Sequence, residues 1–148
     1  MIRRIVASYE ADGSAAEELA QDIWLALWRA LPVFRGQSSL RTFVARIATN
    51  RAITHVRISA RSPRRAQLSE DLPAAGPDPE IQAVNRDRQA RLMSAVRSLP
   101  LALRQVTLLT LEGLVTAEIA DALGITANAV AIRLSRAKDL LRNQLGDA

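Results

Sequence analysis

Residues 116–138, TAEIADALGITANAVAIRLSRAK, decide the fold. Thr116 and Glu118 open a short helix in which Ile119, Ala120 and Leu123 recur at helical spacing and face inward. Gly124 supplies the left-handed turn that a Cβ would resist, and Ile125 seals it. A second helix follows with Thr126 as its N-cap. Val130 and Leu134 bury one side of it and leave Ala127, Asn128, Ala131, Ile132 and Ser135 facing out. A short helix followed by a protruding one is a helix-turn-helix, whose second helix suits the major groove of DNA. An ordinary αα-hairpin shares the apolar spacing. Small Ala120 at the crossing, the glycine turn and the Arg-rich end favour the helix-turn-helix.

Working outward, PEIQAVNRDRQARLMSAVRSLP is a helix started by Pro79 and stopped by Pro100, with Ile81, Val84, Leu92, Ala95, Val96 and Leu99 on its apolar side. LALRQVTLLTLEGL forms the next helix, capped by Gly113, with Leu103, Val106, Leu109 and Leu111 as core. Arg104 and Gln105 near its start are candidates either for a phosphate contact or for plain surface positions. The last helix continues through LSRAKDLLRNQL with Leu134, Leu141 and Leu145 inward. Residues 80–148 therefore read as a four-helix unit built around the helix-turn-helix.

Upstream, residues 63–79 hold four of the six prolines, a composition that reads as a flexible linker. Residues 1–62 form the other block. In SAAEELAQDIWLALWRALPVF, Ser14 and Glu17 form a capping-box pattern, and Leu19, Ile23, Leu27 and Leu31 with Ala16 and Ala20 make one apolar face. Trp24 and Trp28 flank that face, Leu25 lies among Glu18, Asp22 and Arg29, and Pro32 ends the helix. Gly36 then breaks the chain, and Ser38 or Ser39 caps a helix starting near Leu40, with Phe43, Val44, Ile47 and Ala48 buried. Arg46, Asn50, Arg57 and Arg61 fall at intervals of four, seven and four and form one stripe. An amide in an arginine stripe can donate to and accept from a base edge, although a solvated arginine face has the same spacing. Phe34 and Phe43 are the candidates for base stacking.

The chain is thus all-α, with two small helical modules and a Pro-rich tether. Composition agrees with a nucleic-acid binder. The 148 residues carry a net charge of +5, and nineteen of the twenty basic side chains are arginine, whose forked guanidinium suits phosphate. There is no cysteine, which removes disulfides and thiolate metal sites and fits a reducing cytoplasm. No apolar run has the length of a membrane span, and MIRRIVASYEADG lacks the apolar stretch of a signal peptide. His55 is the single histidine and lies in an Arg-rich helix without a nucleophile elbow, and no Gly-rich phosphate loop occurs. Binding is expected here, not catalysis, with no metal and no cofactor.

AEELAQDIWLALWRALPVFRGQSSLRTFVARIATNRAI and LPLALRQVTLLTLEGLVTAEIADALGITANAVAIRLSRAKDLLR, in that order, resemble regions two and four of the extracytoplasmic-function (ECF) group of bacterial RNA polymerase sigma factors, in the sigma-70 family. The resemblance implies a subunit that binds core polymerase, through the β′ clamp helices and the β flap, and directs it to −10 and −35 promoter elements. It implies that Gln21, Asp22, Leu25, Trp28 and Arg29 dock on the clamp helices. The loop Phe34–Ser39, including Arg35, Gly36 and Ser38, would hold a base flipped from the −10 element, beside Phe43. Asn50 would read the −10 strand with Arg46 and Arg57 near its backbone. Arg104, Thr126, Asn128, Ala131, Ile132, Arg133 and Arg136 would meet the −35 element. The linker would run toward the RNA exit path. An anti-sigma factor is the expected further partner, and the free chain should bind promoter DNA poorly, its two modules packed on each other or on that partner.

The sequence departs from the family at three places. Some thirteen residues precede the acidic helix where the family has a further helix or more; Ile2, Ile5, Val6 and Tyr9 fit the inner face of its end. Either the start codon is placed late or region two is reduced. Ala131 and Ile132 stand where Lys and Ser are common, and Phe43 where Trp is usual. Two other readings fit the motifs: a sigma-like mimic that sequesters an anti-sigma factor, and a stand-alone helix-turn-helix regulator.

Overall fold

The computed structural model describes residues 1–61 and 79–146. Among them are α1 (Ile2–Tyr9), α2 (Gly13–Ala30), a 3₁₀ turn (Leu31–Val33), α3 (Leu40–Ser59), α4 (Pro79–Ser98), α5 (Leu101–Leu111), α6 (Thr116–Leu123) and α7 (Ala127–Gly146). Apart from Pro79, the linker expected over residues 63–79 lies outside the described residues, as does the side chain of Ile81.

Helix ends follow their capping chemistry. The N-cap of α2 is Asp12, two residues before the expected Ser14; its carboxylate accepts from the Ala15 amide at 3.2 Å. A charged cap also complements the positive end of the helix, which a serine does not. Ser39 caps α3, accepting from the Thr42 amide at 3.1 Å. Glu118 reaches back to the Val115 amide at 2.9 Å. Gly124 takes φ 65°, and the Ile125 amide donates to the Ala120 carbonyl at 3.1 Å, closing the turn before Thr126 Oγ1 accepts from the Ala129 amide at 3.0 Å.

α3 lies at the centre. Its buried residues are short: Thr42, Ala45, Ala48, Thr49 and Ala52. Small side chains allow close approach, so α1, α2, α5 and α6 all pack on this helix. Phe43, Val44 and Ile47, expected as its buried face, are half-buried around that seam.

Two apolar clusters share α3 and α5. One joins Ile5, Val6 and Tyr9 of α1, Leu19, Ile23 and Leu27 of α2, Ala48 and Ala52 of α3, and Leu108 of α5. The other joins Ala45 with Val106, Leu109, Leu114, Ile119, Ala122 and Val130. The two blocks are therefore packed against each other, with Leu108 of the second inside the core of the first. Fully burying one such side chain contributes about 1.5–3 kcal/mol. Separating the blocks thus carries a cost.

Some expected core positions lie at the surface. Leu31 is exposed because the chain leaves α2 into the 3₁₀ turn just there. Val84 falls on the part of α4 that extends beyond its neighbours, and Leu111 ends α5 on the side away from both clusters. Leu145 is exposed near the end of α7. Among the described residues, no helix is long and apolar enough to cross a membrane.

Candidate nucleic-acid interface

The helix-turn-helix presents its outer face to solvent. Ala122, Ile119 and Val130 anchor α6 and α7 inward. Thr126, Ala127, Asn128, Ala131, Ile132, Ser135 and Arg136 are exposed, and Arg133 is half-buried at the edge. The outer side of α7 is thus open even with the two blocks together.

Arg104 is placed elsewhere. Its Nη2 donates to the Arg97 carbonyl and to the Leu99 carbonyl at 3.1 Å, and its guanidinium lies over the Tyr9 ring, 5.5 Å from the centroid. The last carbonyls of a helix lack intrahelical partners, and Arg104 supplies one for the end of α4. Burial lowers its pKa, with Tyr9 opposing and Arg97 adding to the shift. Burial likewise raises the Tyr9 phenol, with Arg104 opposing. Arg104 therefore joins the two blocks and does not share the exposed face of α7.

On α3, Asn50, Arg57 and Arg61 are exposed. Arg46 is engaged: its Nη2 donates to Asp121 Oδ1 at 2.9 Å and to the Asp121 carbonyl at 3.1 Å. The stripe expected on this helix therefore exists, but one of its cations is held by α6 of the other block.

The loop before α3 brings the two phenylalanines together. Phe34 and Phe43 have ring centroids 4.6 Å apart at 41°, a tilted pairing favoured by aromatic quadrupoles. Gly36 takes φ 74°, which turns the loop, and the Arg35 amide donates to Gln37 Oε1 at 3.1 Å. Arg35 is exposed and Ser38 half-buried, its hydroxyl donating to the Ser39 carbonyl at 3.3 Å.

A third surface lies on α2. Trp28 is 77% exposed and Leu25 48%, with Gln21 and Arg29 exposed beside them. Asp22 lies 3.8 Å from Arg51. The apolar area is wider than the sequence reading had it, because Trp24, Leu31 and Val33 are also exposed. For Val33 the signal was Pro32, which turns the chain so that the side chain beyond it leaves the core face.

Between the blocks, Glu112 is almost fully buried. Arg4 donates to both its carboxylate oxygens, from Nη2 at 2.8 Å and from Nε, and Arg41 donates to its carbonyl. Burial pushes the Glu112 carboxyl up, but the Arg4 hydrogen bond and the nearby amino terminus outweigh it, and its pKa is lowered. Sequence reasoning missed this residue, since a lone Glu after an apolar run reads as surface. Glu10 pairs with His55 at 2.9 Å, which gives the histidine a structural partner.

Residues 1–62 match the family model for Sigma-70 region 2, and residues 89–141 match the model for Sigma-70, region 4. The chain is similar to RNA polymerase sigma factor NccH of Alcaligenes xylosoxydans xylosoxydans, 32% identical over 140 residues covering 88% of this chain and 73% of that protein. It is 30% identical to ECF RNA polymerase sigma factor SigD of Mycobacterium tuberculosis, over 148 residues covering 97% of this chain and 69% of that one. In fold it is similar to the sigma factor RpoE from Bartonella quintana, solved in complex with the anti-sigma factor NepR, with a TM-score of 0.75 at 20% identity, covering 98% and 89% of the two chains.

Proposed function

We propose that this chain, which belongs to the ECF RNA polymerase sigma factors, initiates transcription by docking α2 on core polymerase and setting α3 and α7 on separate promoter elements. In this reading residues 1–62 are region two, 63–79 the linker and 80–148 region four. The clamp helices of β′ cover the apolar surface of Gln21, Asp22, Leu25, Trp28 and Arg29, and region four reaches the β flap. The chain acts in the cytoplasm and carries out no catalysis of its own.

One observation carries the reading most directly. Among the described residues, the outer face of α7 and the Asn50–Arg57–Arg61 stripe of α3 are both open to solvent, on two blocks that meet along a packed seam. Two weak contacts on one tether become strong when a third body fixes their spacing, because the second contact then forms at high effective concentration. Bases unstacked from the −10 strand would be taken by the Phe34–Phe43 loop, with Asn50 reading one edge.

The Arg46–Asp121 contact spans the seam and holds one cation of the α3 stripe. The free chain is therefore expected to bind promoter DNA poorly, chiefly because that seam fixes the spacing of α3 and α7. Polymerase binding would separate the blocks. An anti-sigma factor would be a further partner, as NepR is of the similar sigma factor RpoE. Run-off transcription with purified core polymerase tests the proposal. A promoter-dependent transcript is expected; none from any template would favour a mimic that sequesters an anti-sigma factor. Tight operator binding without core enzyme would indicate a stand-alone regulator.

A further inference from the structure

The outer face of α7 is mostly apolar at the positions nearest its N-terminus, the part of a recognition helix that meets base edges. Ala127 and Ala131 are exposed there, and Ile132 is 46% exposed. Leaving nearly half of an isoleucine in water forgoes much of its burial energy. Asn128 supplies the amide on that face. Arg133, Arg136 and Lys138 lie along the same helix, a charge pattern that suits flanking phosphates.

In the major groove one base carries an apolar group, the C5-methyl of thymine, and alanine and isoleucine offer the matching surface. Resting on the −35 reading proposed above, we infer that Ile132, with Ala131 beside it, selects a thymine through its C5-methyl group. Asn128 and Ile132 are one helical turn apart, about 6 Å along the axis. Base pairs stack every ~3.4 Å, so this thymine lies within about two steps of the base that Asn128 reads, an adenine if its amide bonds bidentately. Selectivity at this −35 position then comes from a methyl contact and not from a hydrogen bond.

The test uses the full chain assembled with core polymerase and a DNA pool randomised across both promoter elements. Promoters retained by the holoenzyme are resynthesised with deoxyuridine in place of each −35 thymine in turn. One such replacement should lower holoenzyme binding about fourfold, the effect of one lost methyl contact. Ile132→Ala should bind thymine and deoxyuridine templates alike, and Ile132→Val should retain part of the preference. Both replace an exposed side chain, so folding is not at stake. An enriched −35 element in which every thymine tolerates deoxyuridine overturns the inference alone. Ile132→Ala that discriminates as the parent does also overturns it. No enrichment at −35 at all overturns the −35 assignment together with it.

Discussion

Arg46 of α3 donates to the carboxylate of Asp121 of α6 at 2.9 Å, so a cation from the stripe around Asn50 is tied to the first helix of the helix-turn-helix. Both side chains are about half-exposed, and such a pair is worth about 0–1 kcal/mol. It is a contact that an open state gives up cheaply.

Asp121→Ala should therefore leave thermal stability nearly unchanged. It should raise the free chain's affinity for a single-stranded −10 oligonucleotide about twofold. Fluorescence anisotropy reads this, and the gain should vanish in the Arg46→Ala, Asp121→Ala double variant. An unchanged affinity in Asp121→Ala would show that Asp121 does not compete with nucleic acid.

Acid should loosen the seam between the blocks at Glu112 and, within the first block, the contact of Glu10 with His55. The Glu112 and Glu10 pKa values are both lowered from 4.5, so the unfolded chain binds more protons than the folded one and stability rises with pH. That contribution is complete above about 4.5 and is lost as the pH falls through the lowered folded values. Urea titrations of Glu112→Gln across this range should show a weaker pH dependence than the parent. Parallel curves would remove Glu112 from the linkage.

Leu25 and Trp28 are exposed and contribute little to either core cluster. Changing both to Asp should abolish retention by immobilised core polymerase while the helical circular dichroism and melting temperature stay close to the parent. Unchanged retention would remove α2 as the docking surface.

Asn50 is exposed on α3, and its backbone carbonyl accepts from the Thr54 hydroxyl at 3.0 Å. Asn50→Ala should relax selectivity at one −10 position by about 1–3 kcal/mol, measured by transcription from single-base promoter variants. Parent-like discrimination at every position would mean that Asn50 does not read a base.

Much of the fold was legible because local rules agreed along the chain. Gly124, Thr126 and the Val130–Leu134 spacing each point to the same turn, and the Ser39 cap and the inner face of α1 were within reach of periodicity. The face of α7 was legible too, since helical phase alone separates Asn128 and Ile132 from Val130. The misplaced residues share a cause. Arg104, Leu111, Leu31 and Val84 lie on helices whose phase was read correctly, but their exposure depends on which neighbour arrives and where the helix ends.

Helix identity, the turn and the outward set of side chains belong to the sequence itself, because each depends on residues within one or two turns of one another. How the two blocks meet does not. The burial of Glu112 under Arg4, the engagement of Arg46 by Asp121 and the entry of Leu108 into the first core each join residues more than fifty positions apart. No local propensity encodes such pairings. They follow from small side chains on α3 that let helices from both blocks approach a single surface, a consequence visible only once the chain has packed.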